Sequence, residues 1–170
     1  MDIPQELNAR ADEAISHYPA EHKRAATLPL LHLIQEHFRY IPEDAVAWVA
    51  EKLGIEPINV LEVVTFYPGF RQKAPGKFHI RVCRTLACAM AGSQQLMDRL
   101  CEKAKIDRSG VTHHDPIALS EDGAFSIEFA ECLASCGTGP VCMVDDDFHE
   151  AVDPEKAGEL LDRYRAKANA

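Results

Sequence analysis

Four of the six cysteines form two close pairs, Cys83-x4-Cys88 and Cys132-x3-Cys136, with 43 residues between the pairs. Four thiolates on two short loops can enclose a metal centre. The intervening residues are mostly small or polar: Arg84, Thr85, Leu86 and Ala87 in the first pair, Leu133, Ala134 and Ser135 in the second. Loops of this kind let sulphurs converge while backbone N–H groups stay free to point at them. Such a set suits two ferric ions bridged by two sulphides, since the metal itself drives each ligand to deprotonate. It also suits a structural zinc ion, because a four-cysteine zinc site accepts similar spacing. A thiol–disulfide enzyme would want Cys-x-x-Cys, which the chain lacks. Gly137, Thr138 and Gly139 follow Cys136 closely, and glycine allows a backbone to approach bridging sulphides and donate hydrogen bonds to them. Spacing alone leaves iron–sulphur, zinc and plain burial open.

The other candidates carry less. Cys101 falls on an expected helix and reads as a small core residue, and Cys142 between Val141 and Met143 reads as packing within a strand. His113 and His114 have no partner at metal-ligand spacing and read as surface histidines, while His32 and His37 share no helix face well. No Gly-x-Gly-x-x-Gly and no Walker sequence occurs, so no nucleotide or flavin site is expected on this chain.

The elements that must position these cysteines divide at Ala74-Pro75-Gly76-Lys77, a turn-rich stretch where the apolar period changes. Residues 1–75 read as a small helical bundle. Its helices are expected over Glu6–His17, from Thr27 to about Arg39 with a Leu30, Leu31, Ile34, Phe38 stripe, from Pro42 to Gly54, and from Pro57 onward with Val60, Leu61, Val64 and Tyr67 facing inward. Residues 76–170 read as an α/β sandwich of thioredoxin-like size. There Phe78, Ile80 and Val82 alternate with His79 and Arg81 in a half-buried strand that delivers Cys83. A helix capped by Ser93 runs to about Lys103, strands follow around Val111–Pro116 and Ala124–Phe129, and Val141–Val144 with Phe148–Val152 form a hairpin. A helix from Pro154 to about Ala166 closes the chain.

With 170 residues and 46% hydrophobic content the chain can bury a real core without disulfides. No apolar run approaches the ~18 residues of a membrane span, and the first residues do not read as a signal peptide, so a reducing cytoplasm is the expected setting. The net charge of −9 argues against a nucleic-acid partner. Its placement is uneven: from Glu121 to Asp162 there are twelve acids and one base, whereas residues 1–120 nearly balance. The block reads first as a solvated surface, and otherwise as an environment that disfavours an added electron or docks a basic partner.

Several stretches resemble one known family. Leu28-Pro29-Leu30-Leu31, Tyr40-Ile41-Pro42 and Val64-Thr65-Phe66-Tyr67 through Phe70 look like the helical half of the E-subunit family of NADH-quinone oxidoreductase, respiratory complex I. The cysteine pairs, with Glu131 before Cys132 and Gly139-Pro140 after Cys136, look like its iron–sulphur half. The resemblance runs from about Thr27 to Asp162 and implies an α+β chain: an N-terminal helical bundle followed by a thioredoxin-like [2Fe–2S] ferredoxin domain. It implies Cys83, Cys88, Cys132 and Cys136 as ligands of one [2Fe–2S] cluster. It also implies an electron-carrying subunit of an oxidoreductase, beside a larger flavoprotein that binds FMN and NADH. Such a subunit has no membrane insertion of its own and lies peripheral to the inner membrane through the complex. The equivalent subunit of an NAD-dependent hydrogenase or formate dehydrogenase, and a zinc-stabilised interaction module, are the alternatives. The family often has Cys-Leu-Gly-Ala-Cys followed by Ala-Pro. Here Ala134-Ser135 stands for Gly-Ala and Gly139 for the Ala, small for small, and the Ser135 hydroxyl is expected to hydrogen-bond a thiolate or sulphide and raise the potential, which the acidic block would push the other way.

Overall fold

In the computed structural model, which describes residues 2–112 and 115–168, the chain divides into two compact units, Met1–Ala74 and Pro75–Ala170. The first unit holds helices α1 (Gln5–Ser16), α2 (Thr27–Phe38), α3 (Glu43–Leu53) and α4 (Pro57–Phe66), with a 3-10 stretch at Ala20–Ala26. That 3-10 stretch was not expected from the sequence. Each helix buries one stripe: Leu7 and Ala11 on α1, then Leu30, Leu31 and Ile34 on α2. On α3 Ala45, Val49 and Leu53 do so, and on α4 Val60 and Val64. Three- and four-residue spacing puts these side chains on one face, and burying that face supplies the stability that helices this short lack alone. Gly54 ends α3 in the left-handed conformation (φ 67°), donating its N–H to Ala50 O and Glu51 O.

The second unit is built on a five-stranded sheet of β1 (Phe78–Cys83), β2 (Ala118–Leu119), β3 (Phe125–Ala130), β4 (Cys142–Val144) and β5 (Asp147–His149). Its strand order is β2-β3-β1-β4-β5, with β1 and β3 parallel and the other pairs antiparallel. A parallel pair needs a crossover, and α5 (Leu86–Met90) with α6 (Ser93–Ala104) lies in it. Ile80 and Val82, Phe125 and Ile127, and Cys142 and Val144 form one core with Leu96, Met97 and Leu100 of α6. Leu160, Leu161 and Tyr164 of α7 (Ala157–Ala168) complete it.

The sequence reading differs from this unit in five places, the first being that β5 ends at His149 where a strand over Phe148–Val152 is expected. The strand expected around Val111–Pro116 is instead the short β2 at Ala118–Leu119, and His113 and His114 lie outside the described residues. Gly92, not Ser93, caps α6; Ser93 is its first residue and makes no side-chain cap. Helix α5 was not expected at all, because five residues are too few to show a period. β1 is buried on both faces rather than half-buried. His79 is 1% exposed, with Nδ1 2.8 Å from Ser126 Oγ and Nε2 2.9 Å from Glu128 Oε1. Both neighbours sit on the paired strand β3, so cross-strand hydrogen bonds satisfy a ring that a polar/apolar alternation would send to solvent.

Candidate metal centre

The parallel pairing of β1 with β3 brings both cysteine-bearing segments to the same end of the sheet. Cys83, the last residue of β1, is in register with Ala130, the last of β3, and Cys132 follows two residues on. Arg84 N–H donates to Ala130 O, and an Arg84–Glu131 ion pair ties the two segments. The first pair is buried: Cys83, Cys88 and Val141 form an apolar cluster against which Leu133 packs. Cys88 is carried on α5 rather than on a loop. Cys132 and Cys136 are exposed, with Cys136 opening a 3-10 turn, Cys136–Thr138.

Hydrogen-bonding groups lie at the sulphurs, and Cys83 Sγ also faces Glu131 O at 3.8 Å. Thr85 Oγ1 lies 3.3 Å from Cys83 Sγ, and Ala134 N–H donates to Cys132 Sγ over 3.4 Å. Burial pushes the Cys83 thiol up, but bonds from Thr85 Oγ1 and from the Leu133 and Thr85 backbone outweigh it, and its pKa falls below the usual thiol value. At Cys88 burial wins, with the neighbouring Cys83 and Cys136 adding to it, and the pKa is raised despite a backbone bond from Val141. A Cβ built at Gly139 would stand 3.4 Å from both Cys88 Cα and Cys88 Sγ and 3.2 Å from Ala91 Cβ, so the bare glycine lets this segment lie directly against Cys88. Ala134, between the outer pair, takes a left-handed conformation (φ 59°) and donates its N–H to Cys132 Sγ.

Of the four cysteines singled out by spacing, Cys83 and Cys88 interact directly and Cys136 acts electrostatically on Cys88. Cys132 engages its own loop through Ala134 N–H, and among the described residues no three His, Cys, Asp or Glu side chains already stand as a metal-holding set. The donor chemistry nevertheless fits an iron–sulphur group: soft thiolates at one end of the sheet, N–H and O–H groups at sulphur, and a glycine at close approach. The lone cysteines are placed elsewhere. Cys142 lies in the core on the α6–α7 side of β4, where burial pushes its thiol to about 12. Cys101 packs beside Met97 on α6, burial pushing it to about 11.

Ser135 departs from expectation. Its hydroxyl lies 2.6 Å from Glu150 Oε1 and 2.7 Å from Thr138 Oγ1, which is itself 2.6 Å from Glu150 Oε1. Sequence reasoning missed Glu150: an acid fifteen residues downstream carries no local signal for this bond.

A thioredoxin-like sheet with paired cysteines at the ends of two neighbouring strands defines a class, the thioredoxin-like ferredoxins. The chain belongs to the thioredoxin-like [2Fe-2S] ferredoxin family, whose pattern matches residues 11–165. It is 38% identical over 156 residues to the E subunit of the NADH-quinone oxidoreductase of Rickettsia conorii, covering 91% of this chain and 89% of that one. To NADH-quinone oxidoreductase subunit 2 of Thermus thermophilus it is 36% identical over 156 residues, covering 91% and 82%. Its fold matches an NAD+-reducing [NiFe]-hydrogenase structure with a TM-score of 0.65 at 18% identity, over 83% of this chain and 23% of that one.

Proposed function

We propose that this chain is the small electron-carrying subunit of an NADH-quinone oxidoreductase of the complex I type, and that Cys83, Cys88, Cys132 and Cys136 hold one [2Fe–2S] cluster. The groups packed around sulphur carry the reading: Thr85 Oγ1 at Cys83, Ala134 N–H on Cys132, and the close approach of Gly139 to Cys88. When bound, such a cluster takes up and returns one electron. The chain's own residues set the conditions for that exchange. Val141 and Leu133 screen Cys83 and Cys88 from water, and the N–H and O–H donors stabilise charge on sulphur. FMN and NAD are assigned to a larger partner subunit, because this sequence offers no phosphate-binding glycine motif. Names of the relatives support an oxidoreductase complex with several subunits.

The helical unit is assigned the docking role. Ile58 and Phe66 on α4 are 65% and 73% exposed, and Leu61 and Tyr67, expected to face inward, are 38% and 41% exposed. Attachment to the membrane then runs through the other subunits, since no described helix is long and apolar enough to cross a bilayer. An affinity-tagged chain isolated from its native host is expected to bring down an FMN-containing subunit with NADH-oxidising activity. Recovery without flavin and without that activity would overturn the assignment; a flavoprotein accompanied by hydrogenase or formate dehydrogenase activity would move the chain to that host.

A further inference from the structure

We propose that Glu150 is a positioning residue that clamps the Cys132–Cys136 loop and holds a fixed negative charge beside it, lowering the reduction potential of the centre those cysteines bind. The inference rests on the ligand reading above. Its geometry starts in the backbone. Ala151 N–H donates to Thr138 O over 2.7 Å and Val152 N–H to Pro140 O over 2.9 Å, so residues 150–152 lie along residues 138–140. Ala151 adopts a left-handed conformation (φ 48°) directly after Glu150. The Glu150 side chain then meets the hydroxyls of Ser135 and Thr138, one on each side of Cys136, both 2.6 Å from Oε1.

Two hydroxyls converging on one oxygen identify that oxygen as the shared acceptor, a pattern that an ionised carboxylate satisfies. Those bonds, Ser135 first and Thr138 second, hold the Glu150 carboxyl below its usual range. The clamp therefore does two things. It ties positions 135 and 138 to a segment outside the ligand loop, and it fixes an anion next to an exposed ligand pair. Adding one electron to the centre, supplied by a reduced flavin or by a chemical reductant, adds negative charge near that anion without making or breaking a bond, and the anion opposes it. Ser135 accordingly acts on the centre through Glu150 and not by a direct bond to sulphur.

The test is a potentiometric titration of anaerobically purified full-length protein, read by EPR and visible absorption, comparing wild type with Glu150→Gln. The amide keeps an oxygen acceptor for both hydroxyls and removes the charge. Glu150→Gln is expected to keep its iron content and to shift the reduced-to-oxidised ratio about threefold toward reduction at a fixed applied potential, a gap that narrows as salt is added. Equal potentials at equal iron content would overturn the proposal. Ser135→Ala gives an independent sign, because it leaves every ligand and charge in place. The clamp expects the potential to rise by less than in Glu150→Gln as the carboxylate is released toward solvent. A direct Ser135–sulphur bond expects it to fall, and a fall or no change overturns the clamp. A wild-type protein with no iron would instead defeat the ligand reading, and that result is distinct from either variant outcome.

Discussion

Cys132 and Ala134 illustrate how single residues enter the account. Replacing Cys132 by serine exchanges a soft thiolate for a hard, reluctantly ionised alcohol at an exposed position proposed as a ligand. Cys132→Ser is expected to lose most of its iron, or to show clearly altered visible absorption; unchanged iron and spectrum would remove Cys132 from the ligand set. Ala134 makes a conformational prediction. At φ 59° its Cβ carries a steric cost of roughly 1–2 kcal/mol, part of which glycine gives back as extra freedom in the unfolded chain. Ala134→Gly should therefore raise stability by about 0.5–1 kcal/mol in a denaturant titration, and destabilisation would contradict the backbone assignment. From sequence, Ala134 in place of the family's glycine is a small-for-small change. The cost lies in the backbone angle, which residue size does not encode. The four cysteines were legible because spacing survives in the sequence. The Ser135–Glu150 bond was not, because it joins residues that only the β4–β5 hairpin brings together.

Among the elements, β5 and α7 are tied by a polar network. Tyr164 O–H donates to Asp147 Oδ2 over 2.7 Å, Lys167 Nζ reaches the same oxygen at 3.0 Å, and His149 Nε2 lies 2.7 Å from the Tyr164 hydroxyl. The Tyr164 bond first, and Lys167 second, hold the Asp147 carboxyl below its usual 3.8. A folded-state pKa below the unfolded value means the stabilisation is complete above the unfolded pKa and is lost as pH falls through the folded one. The stability gap between wild type and Asp147→Asn should thus be constant near neutrality and close progressively below about pH 3.8. A gap that persists unchanged into strong acid would show that the carboxylate charge is not what ties the hairpin to the helix. Helices α1 to α4 were readable because apolar residues repeat at helical spacing on each. Helix α5 and strand β2 were not, since five and two residues hold no period and their places are set by the parallel β1–β3 crossover and by pairing with β3. The inward turn of His79 was equally hidden, because Ser126 and Glu128 become its partners only once the strands align.

For the whole molecule, the two units divide the work proposed above. The cysteine unit contains the Glu121–Asp162 block of twelve acids and one base, and it also exposes Leu86 and Met90 of α5 on either side of Cys88 in sequence, at 75% and 81%. The exposed Leu86 and Met90 beside Cys88 suit a partner that presents apolar groups near the proposed centre. In the helical unit, Ile58→Asp with Phe66→Asp should abolish co-purification of the flavoprotein while leaving the chain's own melting temperature within a few degrees, since both side chains are exposed. Retained capture would move the docking surface elsewhere. The central claim, that the four paired cysteines hold a redox-active cluster, is tested most directly by the metal and acid-labile sulphide content of the anaerobically purified chain. The account predicts about two iron and two sulphide per chain. About one zinc with no sulphide would contradict it, leaving a structural module in place of an electron carrier.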